Sequence, residues 1–312
     1  MAGALWRRFE SGAHSKAAAP ALICGDRRVS YGELHAMALT AAATMAQGGL
    51  VPGARCLVWA ANSPELAAVL LGIWRLGAIV ALVNDEAPVT HFAHAASLTR
   101  PVLTVVEEKH VDTARPEAGL AARVLGEAKA DPGAVGPAPG VQDHEPASIF
   151  FTSGSTGLPK GVVQSHANLL GGCEMVAGHL GFTAADSILC PIPWSFDYGY
   201  GQFLTTMLLG ITQILPEARN PFSLCEAIAT HRPTILAGLP SIFALLIRGI
   251  SPLRETDVSS LRLVTNTGGK IPPAIFADVL EIFAHCELSL NYGMTETYRG
   301  AGLPCALAAE RS

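Results

Sequence analysis

No two of the seven cysteines (24, 56, 173, 190, 225, 286 and 305) form a CxxC pair, and their number is odd. Scattered thiols of this kind argue against a disulfide framework and for a reducing, cytosolic compartment. Positive charge is also in short supply: 21 Lys+Arg stand against 26 Asp+Glu, a formal charge of −5 over 312 residues. Nucleic-acid binding needs a concentrated Lys/Arg surface to neutralise phosphates, so a nucleic acid is not the expected partner. No signal peptide is expected either, because Arg7 and Arg8 lead into no apolar h-region. The longest apolar run, Leu66 to Val83, is 18 residues with Arg75 inside it. A central Arg costs roughly 2.5–3.5 kcal/mol on insertion scales, and 18 residues barely span a bilayer. Asn62-Ser63-Pro64-Glu65 just ahead of the run reads as an N-cap with Pro at the first helical position. A buried helix to Leu76, a turn at Gly77 and a strand from Ala78 to Val83 account for the run without a membrane span. The expectation is a soluble, cytoplasmic protein.

What is present is apolar material: half of the residues are hydrophobic, enough to bury a large core and exclude disorder. The length suits one large domain or two of ordinary size. Ser30-Tyr31-Gly32-Glu33 is a capping box opening a helix towards Gln47. Arg55–Ala60 and Val102–Val106 read as strands. His91 and His94 lie three apart on a helical stretch with no carboxylate or Cys companion, and are expected on the surface rather than at a metal. From about Ala130 to Glu145 the chain is rich in Ala, Pro and Gly and has no period, which suggests a linker or long loop. We therefore expect two α/β subdomains, residues 1–145 and 146–312.

After the loop, short strands alternate with helices. The strands are expected at Ser148–Phe151, Ser187–Ile192, Thr212–Leu215, Thr234–Ala237, Leu261–Thr265 and Glu287–Asn291. The helices are expected near His166–Leu180, Gln202–Leu209, Pro221–His231, Ser241–Ile250 and Pro273–His285. This alternation predicts an α/β fold of mostly parallel sheets flanked by helices. Ligands of such sheets sit beyond the carboxyl ends of the strands, so the loops after the strands are where chemistry is expected.

The first such loop runs from Phe151 to Gly161, and eight of its eleven residues are Thr, Ser, Gly or Lys. Glycines let backbone N–H groups close on an anion, hydroxyls add donors and Lys160 adds charge, so Thr152, Ser153, Gly154, Ser155, Thr156, Gly157 and Lys160 form a candidate phosphate loop. Gly154 and Gly157 are three apart and Lys160 is followed by Gly161, which is not the Walker A spacing and disfavours a P-loop NTPase.

TSGSTGLPKGV resembles the phosphate-loop signature of the adenylate-forming superfamily, which includes acyl-CoA synthetases, peptide-synthetase adenylation domains and luciferases. Val29 to Leu34 is similar to an early signature of that family. Trp194 to Tyr200 (WSFDYGY) is similar to its aromatic substrate-side motif, Thr267 to Pro272 (TGGKIP) to its adenine-side turn, and Asn291 to Thr297 (NYGMTET) to its tyrosine–threonine–glutamate motif. The motifs occur in the family's order across nearly the whole chain.

The resemblance implies an AMP-forming carboxylate ligase. A carboxylic or amino acid attacks ATP to give an acyl-adenylate, and the acyl group then passes to the thiol of CoA or of a phosphopantetheine on an acyl-carrier protein. By resemblance, Thr152 to Lys160 hold the β- and γ-phosphates, and Tyr292 stacks on adenine beside the backbone of Gly269, Lys270 and Ile271. Thr295 would reach the α-phosphate and Glu296 would ligate Mg²⁺, a hard cation suited to carboxylate oxygen. Thr295, Glu296 and Lys160 are the catalytic candidates. Phe196, Asp197, Leu239, Pro240, Ser241, Thr265 and Asn266 are placed on the acyl side. His166 would lie near the acyl pocket and thiol tunnel, or else begin its helix with no further role. Asp197 has two readings: it pairs with a substrate α-ammonium, or it caps a helix starting near Tyr198. The family's ribose-binding Asp, hinge and C-terminal lid with its catalytic Lys find no counterpart in the fifteen residues after Thr297. The expectation is an incomplete large N-terminal domain lacking the lid, with a catalytically inactive, truncated nucleotide-binding module as the alternative.

Overall fold

The computed structural model describes residues 3–118, 122–127, 130–136, 138–152, 159–297 and 301–304. The first half contains α1 (Ala4–Ser15), β1 (Pro20–Cys24), β2 (Arg27–Ser30), α2 (Tyr31–Gln47), β3 (Arg55–Trp59) and α3 (Pro64–Arg75), then β4 (Ile79–Val83), α4 (Val89–Thr99), β5 (Leu103–Val106), α5 (Val111–Ala118) and β6 (Ala122–Val124). After the loop come β7 (Pro146–Thr152), β8 (Lys160–Ser165), α6 (His166–His179), β9 (Ser187–Leu189), α7 (Asp197–Leu209), β10 (Thr212–Leu215) and α8 (Pro221–His231). The chain continues through β11 (Ile235–Gly238), α9 (Pro240–Arg248), β12 (Leu263–Asn266), α10 (Pro273–Ile282), β13 (Glu287–Tyr292) and β14 (Ala301–Pro304).

Local chemistry explains the helix starts. Ser30 accepts from the Glu33 amide while the Glu33 carboxylate accepts from the Ser30 amide, completing the capping box of α2. Ser63 caps α3 with Pro64 behind it, and the helix ends at Arg75 before Gly77 turns the chain at φ +68°. The apolar run is thus a buried helix–turn–strand unit, and no helix among the described residues is long and apolar enough to cross a membrane.

The strands form a six-stranded sheet, β6-β5-β3-β4-β7-β8, and an eight-stranded sheet, β14-β13-β12-β11-β9-β10-β1-β2. Pairing is parallel except for β8, β2 and β14, which run antiparallel to their neighbours. Sheet membership runs across residue 145. β7 and β8 complete the sheet of the first half, and β1 crosses to pair with β10 through Leu22–Gln213. The long loop therefore connects two parts of one sheet system.

One continuous core holds the two sheets together. It contains side chains of α1, α2, α3, α6 and α7, with Val58, Val80 and Phe150 from the smaller sheet and Leu22 and Leu215 from the larger. α4 and α5 cover the other face of the six-stranded sheet through Phe92, Ala95 and Ala114. α8, α9 and α10 cover the eight-stranded sheet through Ile228, Phe243 and Val279. Period-2 alternation divides the larger sheet's residues: Leu189, Leu236 and Val264 face α8–α10, while Ile188, Ile235 and Leu263 face α6.

Candidate active site

In the larger sheet β9 has β10 on one side and β11 on the other, and in the smaller sheet β3 has β4 and β5 on its two sides. Chain direction across each sheet reverses at these strands, leaving a crevice beyond their carboxyl ends. The two crevices face each other. Asn62, just after β3, donates to the Ile192 carbonyl at 2.9 Å and accepts from the Trp194 amide at 2.8 Å, pinning the loop after β9. A cavity of about 700 Å³ opens here, walled by Leu82, Val83, Asn84 and Glu86 at the smaller sheet's β4 end, Thr152, the 191–197 loop, Arg219, Leu239, Ser241 and Thr295.

Of the residues expected at the site, Thr152, Phe196, Asp197, Leu239, Ser241 and Thr295 line this cavity together. The turn that delivers Phe196 and Asp197 depends on Gly199, where a Cβ would stand 2.2 Å from the Pro193 carbonyl oxygen. Helix α7 starts at Asp197, ahead of both expected starts, near Tyr198 and near Gln202, and its N-cap is Phe196. Asp197 is thus the first helical residue and not the cap. Its carboxylate gains from the positive end of the helix while lining the cavity. Phe196 is 49% exposed, an apolar ring left open at the cavity.

The nucleotide-side motifs sit at strand ends and a turn. Thr152 pairs with Lys160 where β7 and β8 run antiparallel. The central residues of the phosphate loop, Ser153, Gly154, Ser155, Thr156, Gly157 and Leu158, lie outside the described residues. Lys160 is exposed and opens a strand, whereas a Walker A loop leads into a helix. β12 and β13 pair in parallel with Asn266 beside Leu290, which brings residues 267–269 level with residues 291–293. Gly268 turns at φ +76°, Gly269 and Lys270 are exposed, and Ile271 is buried in the core. Tyr292 is 65% exposed, and Glu296 is exposed on the β13–β14 connection.

His166 begins α6, the second of its two readings, and is not on the cavity wall: it is fully buried against Gly3, with neither ring nitrogen hydrogen-bonded among the described residues. Burial pushes its pKa down to about 4, even though Asp143 and Glu145 pull it upward. Asn266 and Thr265 also lie off the cavity wall. The Asn266 amide donates to the Gly269 carbonyl at 3.0 Å and shapes the adenine-side turn, while Thr265 pairs with the Tyr198 hydroxyl. His91 lines the cavity, and His94 is half-buried with its Nε2 2.9 Å from the Pro159 carbonyl oxygen at the root of the phosphate loop. No group of three metal-ligating side chains occurs among the described residues.

Sequence reading missed three further residues. Arg219 bonds Asp85 at 2.6 Å and Glu86 at 3.3 Å, joining the β10 end to the β4 end. Gln164, 2% exposed, donates to the Thr295 carbonyl at 2.6 Å. Asn62, read in the sequence only as part of the N-cap segment of α3, is the third. Only the facing of the two sheets brings each of them to its partner.

The profile of the family described as AMP-binding enzyme matches residues 9–310. A methyl-dioxo-octahydroindenyl propanoyl:CoA ligase of Mycobacterium tuberculosis is 30% identical over 318 residues, covering 91% of this chain and 60% of that protein. An L-proline ligase for the L-prolyl carrier protein of Pseudomonas fluorescens is 27% identical over 306 residues, covering 91% and 60%. The chain thus spans 60% of the length of these curated relatives. Among solved structures, VinN in complex with L-aspartate superposes with a TM-score of 0.90 at 24% identity, covering 99% of this chain and 81% of that one. The N-terminal domain of FACL13 from Mycobacterium tuberculosis gives 0.87 at 21% identity, covering 100% and 81%. These likenesses establish the same fold, an α/β domain of mostly parallel sheets flanked by helices. The match over residues 9–310 and the convergence of Thr152, Thr295 and the 191–197 loop on one cavity establish that the chain belongs to the AMP-binding enzyme family.

Proposed function

We propose that the cavity between the sheets activates a carboxylic or amino acid with ATP, releasing pyrophosphate and holding an acyl-adenylate for transfer to the thiol of CoA or of a carrier-protein phosphopantetheine. The observation that carries this reading is the composition of one wall system: Thr152 and Thr295 from the nucleotide motifs share it with Phe196, Asp197, Leu239 and Ser241 from the acyl side. Two reactants held in one cavity react as a unimolecular pair, and the carboxylate nucleophile is ionised at pH 7 without a base.

The roles follow from where the residues stand. The exposed ring of Tyr292 suits stacking on adenine, with Gly269 and Lys270 supplying open backbone level with it and Ile271 anchoring that turn in the core. Thr295 faces the cavity and would donate to the α-phosphate, while Lys160 and the phosphate loop would hold the β- and γ-phosphates. Glu296 fits a Mg²⁺ role by the chemistry of its donor: an exposed carboxylate, in no ion pair among the described residues, of the kind Mg²⁺ takes alongside phosphate oxygens. Bound there, the ion would neutralise phosphate charge.

For the acid, Asp197 lies on the cavity wall at the start of α7, and it is the residue we assign to a substrate ammonium group, the cation that a desolvated carboxylate needs. The six described cysteines are all free thiols, which supports a cytoplasmic setting. The test is the nucleotide product formed with Mg-ATP and a panel of amino and simple carboxylic acids. AMP and pyrophosphate support adenylation, whereas ADP and phosphate indicate an ordinary NTPase.

A further inference from the structure

Side-chain hydrogen bonds tie the two sheets at three places around the cavity: Asn62 to the 192–194 backbone, Arg219 to Asp85, and Gln164 to Thr295. The third is at the phosphate end, and its chemistry is unusual for its place. Gln164 lies on β8, an edge strand whose other residues are exposed or half-buried, yet it is itself 2% exposed. A buried primary amide is costly unless both ends are bonded. Here both are: Nε2 donates to the Thr295 carbonyl at 2.6 Å, and Oε1 accepts from Asn168 Nδ2 at 2.8 Å. The opposite amide orientation would set oxygen against oxygen and N–H against N–H, so the network allows one orientation only.

We propose that Gln164 is a positioning residue that holds the Thr295 turn against the strand leaving the phosphate loop, so that Thr295 meets the nucleotide's phosphates in register with that loop. This rests on the nucleotide reading given above. Gln164 is four residues beyond Lys160 on the same strand, while Thr295 belongs to a hairpin of the other sheet, closed by the Thr297 amide on the Met294 carbonyl. Without the bridge, the turn carrying Thr295 and Glu296 has no described hydrogen bond to the strand that follows the phosphate loop. The substitution Gln164→Met keeps length and apolar stem while removing the donor.

The consequence is selective for phosphate. Binding constants of ATP, AMP and adenosine are measured by calorimetry on the full 312-residue chain. Gln164→Met is expected to weaken ATP and AMP about tenfold, the scale of one lost hydrogen bond to a buried acceptor, and to leave adenosine within about twofold. Asn168→Ala, on the exposed start of α6, removes only the bond that orients the amide and is expected to shift AMP in the same direction by about threefold. AMP affinity unchanged in both variants, or adenosine weakening in parallel with AMP, would overturn the role and leave Gln164 as a packing residue. If Gln164→Met does not fold, Asn168→Ala decides by the same comparison. A wild-type chain that binds none of the three ligands would instead overturn the nucleotide reading itself.

Discussion

At the scale of single residues, Asp197 and His166 show how far a side chain's role depends on its surroundings. Both were candidates on the acyl side, and only Asp197 faces the cavity. If Asp197 pairs with an ammonium, Asp197→Ala should lower activity with amino acids by several hundred-fold or more, on the order of 3–5 kcal/mol for one partner of a desolvated pair, and spare simple carboxylic acids. Equal losses for both acid classes would remove Asp197 from recognition. His166 has a different consequence. Its pKa of about 4 lies below the unfolded value near 6.5, so the unfolded chain binds the extra proton first as pH falls. Stability should therefore decline between about pH 6.5 and 4, by on the order of 2–3 kcal/mol, and level off below. Urea unfolding across this range should show the decline in wild type and lose it in His166→Phe. The same slope in both proteins would show that the buried imidazole is not its source. The motif around Asp197 was legible because its residue types are tied to chemistry. The burial of His166 was not, because nothing local announces that Gly3, the N-cap of α1, packs on the ring.

At the scale of elements, strands and helices with strong local signals stand where the sequence puts them. Thr212–Leu215 and Pro221–His231 match residue for residue, and Ser30 and Ser63 cap the helices they were expected to cap. What went unread shares a physical cause. β2 and β8 lie in antiparallel pairs and carry exposed residues that break any apolar pattern, so their sheet partners define them. α1 buries Leu5, Trp6, Phe9 and Ala13, a stripe diluted by small and charged neighbours. Across the end of the larger sheet opposite the cavity, Asp186 before β9 is clasped by Arg262, Thr234 and Thr183 through five donors. Burial of its carboxyl would raise the pKa, but these bonds hold it at about 2. A depressed carboxylate contributes stability above its unfolded value near 3.9, and that contribution disappears as pH falls from about 4 to 2. Asp186→Asn should cost about 2–3 kcal/mol at pH 7 and flatten this lower acid limb without changing nucleotide affinity. Full stability in the variant, or weakened nucleotide binding, would contradict a purely structural clasp.

At the scale of the molecule, two sheets that each reverse direction at one strand are set with those strands' carboxyl ends face to face, and shared helices fix them there. The cavity between them gathers motifs more than 140 residues apart, Thr152 and Thr295 among them. The fold class was legible from the alternation of strands and helices and from the ordered motifs. The crossing of β1 to the second sheet and the bridges of Asn62, Arg219 and Gln164 were not, since they exist only once the sheets meet. The central claim is that this shared cavity joins an acid to the α-phosphate of ATP. Its most direct test mixes the chain in molar excess over α-³²P-labelled ATP with Mg²⁺ and each acid of the panel, and identifies the labelled product over a single turnover. The account predicts labelled AMP or acyl-adenylate that forms only when the right acid is present, with an amino acid giving the fastest reaction. Labelled ADP, or AMP formed at the same rate with no acid added, would contradict it.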